Sequence, residues 1–248
     1  MAIHTADALV LRQYPYRETS VIVTCLTDRF GKITGLVKGL RDGRMRHRSA
    51  MEPLSVNRIV FYDVRSGSMH LISQCDLVES FHGLTRDLEL MRVAAACAEL
   101  ADAILQPGEP HPDVFGFMQT TLARLVEGHL DPPSMRIHAV LRLLRLAGFH
   151  PQLDECVACS QPASTMSAYW SARQGGLLCE RCLHEDPGAE HVTGAWLSLL
   201  HACAEAPQPL ALEPAHAGWV QHRLDEFLRW HVDRPLKAHR APSASGQG

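Results

Sequence analysis

Four cysteines stand out by their spacing: Cys156-x2-Cys159 and, after 19 intervening residues, Cys179-x2-Cys182. A Cys-x-x-Cys turn sets two thiolates about 3–4 Å apart, the edge of a tetrahedron with metal–sulfur bonds near 2.3 Å. Two such turns make a closed four-cysteine set. Four sulfurs leave no position for water, so the expected occupant is one structural zinc ion. A pair of redox dithiols is the competing reading. Ser160 follows the first pair, where zinc ribbons often place glycine. The other cysteines, Cys25, Cys75, Cys97 and Cys203, lie inside apolar runs and read as small buried hydrophobes.

The second chemical signal is positive charge. Arg29, Lys32, Lys38, Arg41, Arg44, Arg46 and Arg48 fall in one stretch, against Asp28 and Asp42. The whole chain has a net charge of −3, yet residues 1–80 are net basic and the remainder net acidic. A basic unit on an acidic body points to a polyanion partner for one end. The segment from Gly39 to Ser49 reads as a charged loop whose arginines follow a phosphate backbone, or as plain solvated surface. Tyr14, Tyr16 and Phe30 offer faces for stacking or for packing.

Motifs of catalysis are missing. Gly31-Lys32 lacks the upstream glycine of a phosphate-binding loop, and there is no G-x-S-x-G, no H-E-x-x-H and no deaminase signature. No Asp/Glu/His cluster has two-metal spacing. We therefore expect a protein that is not an enzyme.

These residues need elements to position them. Short runs, Ala8–Leu11, the β-branched Val21–Leu26, Ile33–Val37, Leu54–Tyr62 and Met69–Ile72, are separated by Gly or Asp turns and predict a small closed β-barrel. From Asp87 the apolar period becomes helical. Leu90, Val93, Ala94, Cys97, Ala101 and Ile104 form one stripe, stopped at Gln106-Pro107-Gly108. Phe115, Met118, Leu122 and Leu125 form a second, stopped near Gly128. Ile137, Val140, Leu141 and Leu144 form a third, closed by Gly148. An irregular cysteine-bearing segment follows, then helices over Val192–Cys203 and Trp219–Val232. The 248 residues, 46% hydrophobic and 21% charged, can bury a real core. The longest uncharged stretch, Cys156–Ala172, is polar, so no membrane span is expected. Asp7 interrupts the apolar N-terminus and no secretory signal is expected; the compartment expected is the reducing cytoplasm.

Several runs together resemble a known family. They are Ala8-Leu9-Val10-Leu11-Arg12, Tyr14-Pro15-Tyr16-Arg17-Glu18-Thr19, Leu26-Thr27, Phe30-Gly31-Lys32, Lys38-Gly39 and Glu52-Pro53-Leu54. Further on come Glu99-Leu100, Gly148-Phe149-x-Pro151, Gly175-Gly176-Leu177-Leu178-Cys179 and Arg234-Pro235-Leu236-Lys237. In order and spacing, from residue 4 to about 240, they resemble the RecO family of bacterial DNA repair proteins. The sequence departs from the family's basic loop at Leu40 and Asp42.

The resemblance implies an α+β fold: an N-terminal OB-fold β-barrel, then an all-helical domain with an inserted four-cysteine zinc element. The expected domains are 1–80, the nucleic-acid-binding OB-fold, and 81–240, with the zinc element at about 154–185. Residues 241–248 are expected to be a disordered tail. The implied function is DNA repair and homologous recombination: binding single- and double-stranded DNA, annealing complementary strands, and helping to load recombinase onto DNA coated by single-strand-binding protein. The implied partners are a RecR protein and the C-terminal tail of single-strand-binding protein, in a bacterial cytoplasm near the nucleoid. The helical body is the expected seat of that tail, which basic residues beside apolar stripes, such as Arg136, Arg142 and Arg145 near Leu141 and Leu144, would suit; these arginines read equally as a solvated helix face. The rivals are a zinc-stabilised protein–protein adaptor without nucleic-acid contact, and a metal-dependent nuclease.

Overall fold

Alternation builds the first unit. In β1 (Ile3–Tyr16), β2 (Ser20–Thr27), β3 (Lys32–Val37), β4 (Ser55–Tyr62) and β5 (His70–Ser80), successive side chains face opposite ways. Ala8, Val10, Val23, Cys25, Ile33, Val37, Ile59, Phe61 and Ile72 point inward and pack as one buried cluster. The strands close into a barrel of order β1-β2-β3-β5-β4, with neighbours antiparallel except for the β3–β5 closure. The structure, a computed structural model, describes residues 2–40, 51–63, 69–128, 131–165, 167–234 and 236–237. The arginine-bearing loop positions 41–50 and the tail 241–248 lie outside the described residues.

Two strands are longer than their apolar runs. β1 pairs with β4 through its first half and with β2 through its second, with a register shift between Val10 and Arg12. β5 continues past Ile72 through Ser73, Gln74 and Asp76, whose side chains are exposed. Backbone pairing carries both strands across polar residues, because only their inner face needs to be apolar. At the β2–β3 turn, Gly31 has φ +66, and a Cβ there would lie 2.0 Å from the Glu109 carbonyl oxygen. The Phe30-Gly31-Lys32 run therefore requires glycine at its centre.

The helical stripes fold as their punctuation dictates. α1 (Leu88–Ile104) starts where the Asp87 carboxylate accepts from the Glu89 N–H at 2.7 Å, and it buries Val93, Ala94, Cys97, Ala101 and Ile104. α2 (Pro112–Glu127) begins with proline and ends on Gly128 at φ 72. α1 packs on β1 and α2 on β2. Barrel and both helices fall in one compact unit, Met1–His129; the rest of the chain, Leu130–Gly248, forms the other.

In the second unit, Asp131 caps α3 (Pro132–Leu146) by accepting from the Ser134 N–H at 2.9 Å. α3 buries Ile137, Val140, Leu141 and Leu144 against α4 (Gly194–Glu205) and α5 (Pro214–His231). α5 begins five residues before the expected Trp219, at Pro214, because the Ala- and His-rich first turn carries little apolar signal. The cysteine-bearing segment, read from sequence as irregular, is a four-stranded sheet. β6 (Gln152–Cys156), β7 (Ala168–Ser171), β8 (Gly176–Cys179) and β9 (Glu190–Val192) stand in the order β6-β8-β7-β9. Strands of three to five residues are too short to display a period. No described helix is long and apolar enough to cross a membrane.

Candidate metal centre and nucleic-acid interface

The small sheet exists to bring two turns together. β6 ends on Cys156 and β8 on Cys179, and these strands run parallel side by side. Their approach is close: a Cβ on Gly176 would lie 2.3 Å from the Gln152 carbonyl oxygen. Cys159 sits in the turn after β6, and Cys182 in the 3-10 helix Glu180–Glu185. The four Sγ atoms all lie within 4.8 Å of one another, with Cys159 and Cys179 at 3.6 Å. The S···S edge of a tetrahedron with 2.3 Å metal–sulfur bonds is about 3.8 Å. The group could therefore hold a metal ion. Cys156, Cys179 and Cys182 are buried and Cys159 is exposed.

The electrostatics ask for a cation. Burial raises the Cys156 thiol, but backbone N–H groups of Cys179, Ala158 and Cys159 outweigh it and bring the pKa down to about 6. The Cys179 N–H reaches the Cys156 sulfur at 3.4 Å. Cys182 is pushed the other way by its hydrogen bond to Cys179 and by burial. Sulfurs this close cannot all be thiolates unless a positive charge sits among them.

Ser160 closes the first turn, its N–H bonded to the Cys156 carbonyl at 2.8 Å and its φ at 54°. That left-handed conformation disfavours a Cβ by about 1 kcal/mol or more. Ser160→Gly is expected to stabilise the second unit by about 1 kcal/mol, read as a higher denaturant midpoint. An unchanged or lower midpoint would mean the turn carries no strain.

The remaining thiols, Cys25, Cys75, Cys97 and Cys203, are buried. Burial pushes Cys25 far up, and Cys75 and Cys203 up to about 11.

On the barrel, register places an apolar stripe on the outer face. Tyr14 lies opposite Ile22, Ile22 opposite Leu36, Leu36 opposite Leu71, Leu71 opposite Tyr62, and Tyr62 opposite Ile3. Tyr14 is 50% exposed and Ile3 61%. The Arg12 guanidinium lies 5.7 Å from the Tyr14 ring centre and donates to its hydroxyl at 3.2 Å. Arg17 likewise lies 5.3 Å from the Tyr16 ring. Phe30 instead packs inward, edge-on to Phe61 and against His4.

The basic residues divide. Lys38, just past β3, is exposed. Arg29 is exposed, beside Asp28 at 3.3 Å and donating to the Thr5 carbonyl. Lys32 is committed elsewhere: its side chain is only 13% exposed, 3.5 Å from the Asp102 carboxylate and bonded to the Asp102 carbonyl. Arg12 meets the same carboxylate at 2.5 Å. Asp102 is the buried hub of this cluster, and it was not singled out from sequence. Its signal was there: an acid on the buried Ala-rich face of α1 needs a cationic partner. Arg41, Arg44, Arg46 and Arg48 lie outside the described residues.

The three arginines of α3 also divide. Arg136 pairs with Asp225 of α5 at 2.5 Å and is mostly covered. Arg145 pairs with Glu205 of α4 at 2.7 Å, which lowers the Glu205 pKa. Arg142 is exposed.

Comparison with known proteins agrees along the chain. Residues 1–81 match the family model described as Recombination protein O N terminal, and residues 85–240 the one described as Recombination protein O C terminal. The DNA repair protein RecO of Desulfitobacterium hafniense is 31% identical over 198 residues, covering 80% of this chain and 70% of that one. That of Anaeromyxobacter sp. is 31% identical over 239 residues, covering 94% and 92%. That of Bacillus subtilis is 30% identical over 181 residues, covering 73% and 69%. The match spans both the barrel and the cysteine-bearing helical body, and the chain belongs to the RecO family of DNA repair proteins.

Proposed function

We propose that this protein is a non-enzymatic recombination mediator that binds single- and double-stranded DNA and anneals complementary strands. On this reading it also helps load recombinase onto DNA coated by single-strand-binding protein, with a RecR protein as partner. The observation that carries the reading is the outer face of the barrel, where Tyr14 and Tyr16 each carry an arginine and Tyr14 stands in a row with Ile22 and Leu36. Exposed aromatic rings stack unpaired bases, and cations beside them neutralise phosphates. Neutralising two strands at once lowers the repulsion that slows their pairing.

We take residues 1–80 as an OB-fold that carries the DNA site, and 81–240 as the body that docks protein partners. Phosphate contacts come from Arg29, Lys38 and the loop arginines, while Lys32 braces the barrel through Asp102. The four-cysteine group holds one structural zinc. The tail of single-strand-binding protein docks on the helical body, where Arg142 is exposed on α3. The protein works in the bacterial cytoplasm, at the nucleoid.

The loop supplies the test. Each engaged phosphate steepens the log–log salt dependence of single-strand affinity by roughly 0.7. Replacing Arg41, Arg44, Arg46 and Arg48 by alanine is expected to flatten the slope by about 2–3 units. The loss should be equal for unrelated sequences, with thermal midpoint unchanged. A wild-type slope in the quadruple variant would move the phosphate contacts off this loop. Filter retention of a single strand, with and without magnesium, tests the rest. Cleavage would favour a nuclease, and no retention an adaptor.

A further inference from the structure

The second unit contains a cavity of about 530 Å³ on the side of α5 that faces β7 and β9. Its volume lies in the range of pockets that take small organic ligands. Trp170 of β7 forms part of its lining and packs on Phe227, with ring centres 6.3 Å apart. Arg223 forms another part, only 8% exposed, its terminal nitrogens held by Glu190 and Glu226. Two N–H donors of these lining residues, Trp170 Nε1 and Arg223 Nε, are buried without a hydrogen-bond partner. Both atoms are closed to solvent, so they belong to the packed floor and the ligand contacts must come from the rim.

The rim is different in character. Trp230 is 62% exposed, and the Arg173 guanidinium lies 5.8 Å from its ring centre. Arg229 stands beside it on the same helix. Neither Arg173 nor Arg229 forms an ion pair among the described residues. The three carboxylates of the lining are already engaged: Glu190 and Glu226 by Arg223, and Asp186 by the Ser171 hydroxyl at 2.6 Å. What remains is an exposed indole with two cations that lack a carboxylate partner, at the mouth of a recess.

A planar ring joined to an anionic backbone matches the exposed indole and both rim cations at once. We propose that this cavity is a second single-strand site, in which an unpaired nucleobase stacks on Trp230 while Arg173 and Arg229 take the adjoining phosphates. The inference rests on the reading of the chain as a strand-annealing protein, and it deepens that reading. The pairing of exposed aromatic and arginine seen at Tyr14 and Arg12 on the barrel recurs here in the other unit. Annealing needs two strands held with their bases available. A base inside a duplex cannot present its face to Trp230, so the site selects single strands.

The test uses the full chain and its intrinsic tryptophan fluorescence. A short mixed-sequence single strand is expected to quench the exposed indole, and Trp230→Phe to remove the quench while keeping most of the affinity. Trp230→Ala should weaken single-strand binding about tenfold, the scale of one lost base–aromatic stack. It should slow annealing and leave duplex affinity and thermal midpoint unchanged. Single-strand affinity and annealing at wild-type levels in Trp230→Ala would overturn the proposal and leave the barrel site standing. A variant of the barrel loop that binds normally, beside a Trp230→Ala that does not, would do the reverse. Deoxythymidine monophosphate alone, binding as tightly as the oligonucleotide, would make this a site for free nucleotides and overturn the strand assignment. A quench by duplex equal to that by single strand would overturn it as well.

Discussion

Cys179→Ser is expected to strip about one metal ion from each chain and to unfold the small sheet locally. Cys179 is the point where the site and the sheet meet. Its sulfur is 3.6 Å from that of Cys159, and its N–H donates to the Cys156 sulfur. Serine keeps the strand residue but offers a weak, hard ligand in place of a thiolate. Structural zinc contributes on the order of 10 kcal/mol to folding in modules that have little else. Here Leu177 and Leu178 are fully buried and Trp170 nearly so, so the sheet has a core of its own. The expected loss is therefore smaller, on the order of 5 kcal/mol, and confined to the second unit. Elemental analysis should read about one zinc per chain in the wild type and none in the variant, and a strong chelator should reproduce the drop in midpoint. Single-strand binding at the barrel should survive. Equal metal content in variant and wild type would remove the assignment.

Asp102→Ala is expected to destabilise the first unit by about 2–4 kcal/mol. The carboxylate is 1% exposed and faces two cations, Arg12 at 2.5 Å and Lys32 at 3.5 Å. Removing it takes a carboxylate from the mostly covered Lys32 ammonium, 13% exposed. Arg12 is 37% exposed and can turn to water, which keeps the figure below that of a fully buried triad. For a protein of this size the shift in midpoint is roughly 5–12 °C. The double variant Asp102→Ala with Lys32→Met should recover part of the loss, since it removes the mostly covered ammonium as well. The same variant should loosen Arg12 over Tyr14 and weaken single-strand binding several-fold, while duplex binding changes less. A midpoint within 1–2 °C of wild type, which corresponds to less than about 1 kcal/mol, would show that the two cations do not depend on Asp102.

The four-cysteine group was legible in the sequence because its spacing is local. Each Cys-x-x-Cys turn carries its own ligand spacing, and only one way of joining two such turns gives a closed tetrahedral set. The barrel and the helices were legible for a related reason: apolar period 2 or 3.6, with Gly128, Asp131 and Pro132 as punctuation, is written along the chain itself. The short strands around the cysteines were not, since three to five residues cannot show a period.

Charge was the property that sequence alone could not assign. Lys32 and Lys38 are both basic residues of the same stretch. One is turned onto a carboxylate 70 positions away in the chain, and the other into solvent. The same holds for Phe30 and Tyr14, one packed on Phe61 and the other exposed beneath Arg12, and for Trp170 and Trp230, one a floor and the other a rim. A cation or an aromatic ring is favourable both at a surface and in a matched interior. Which of the two it meets depends on partners brought from distant strands and helices, and only the tertiary structure brings them together.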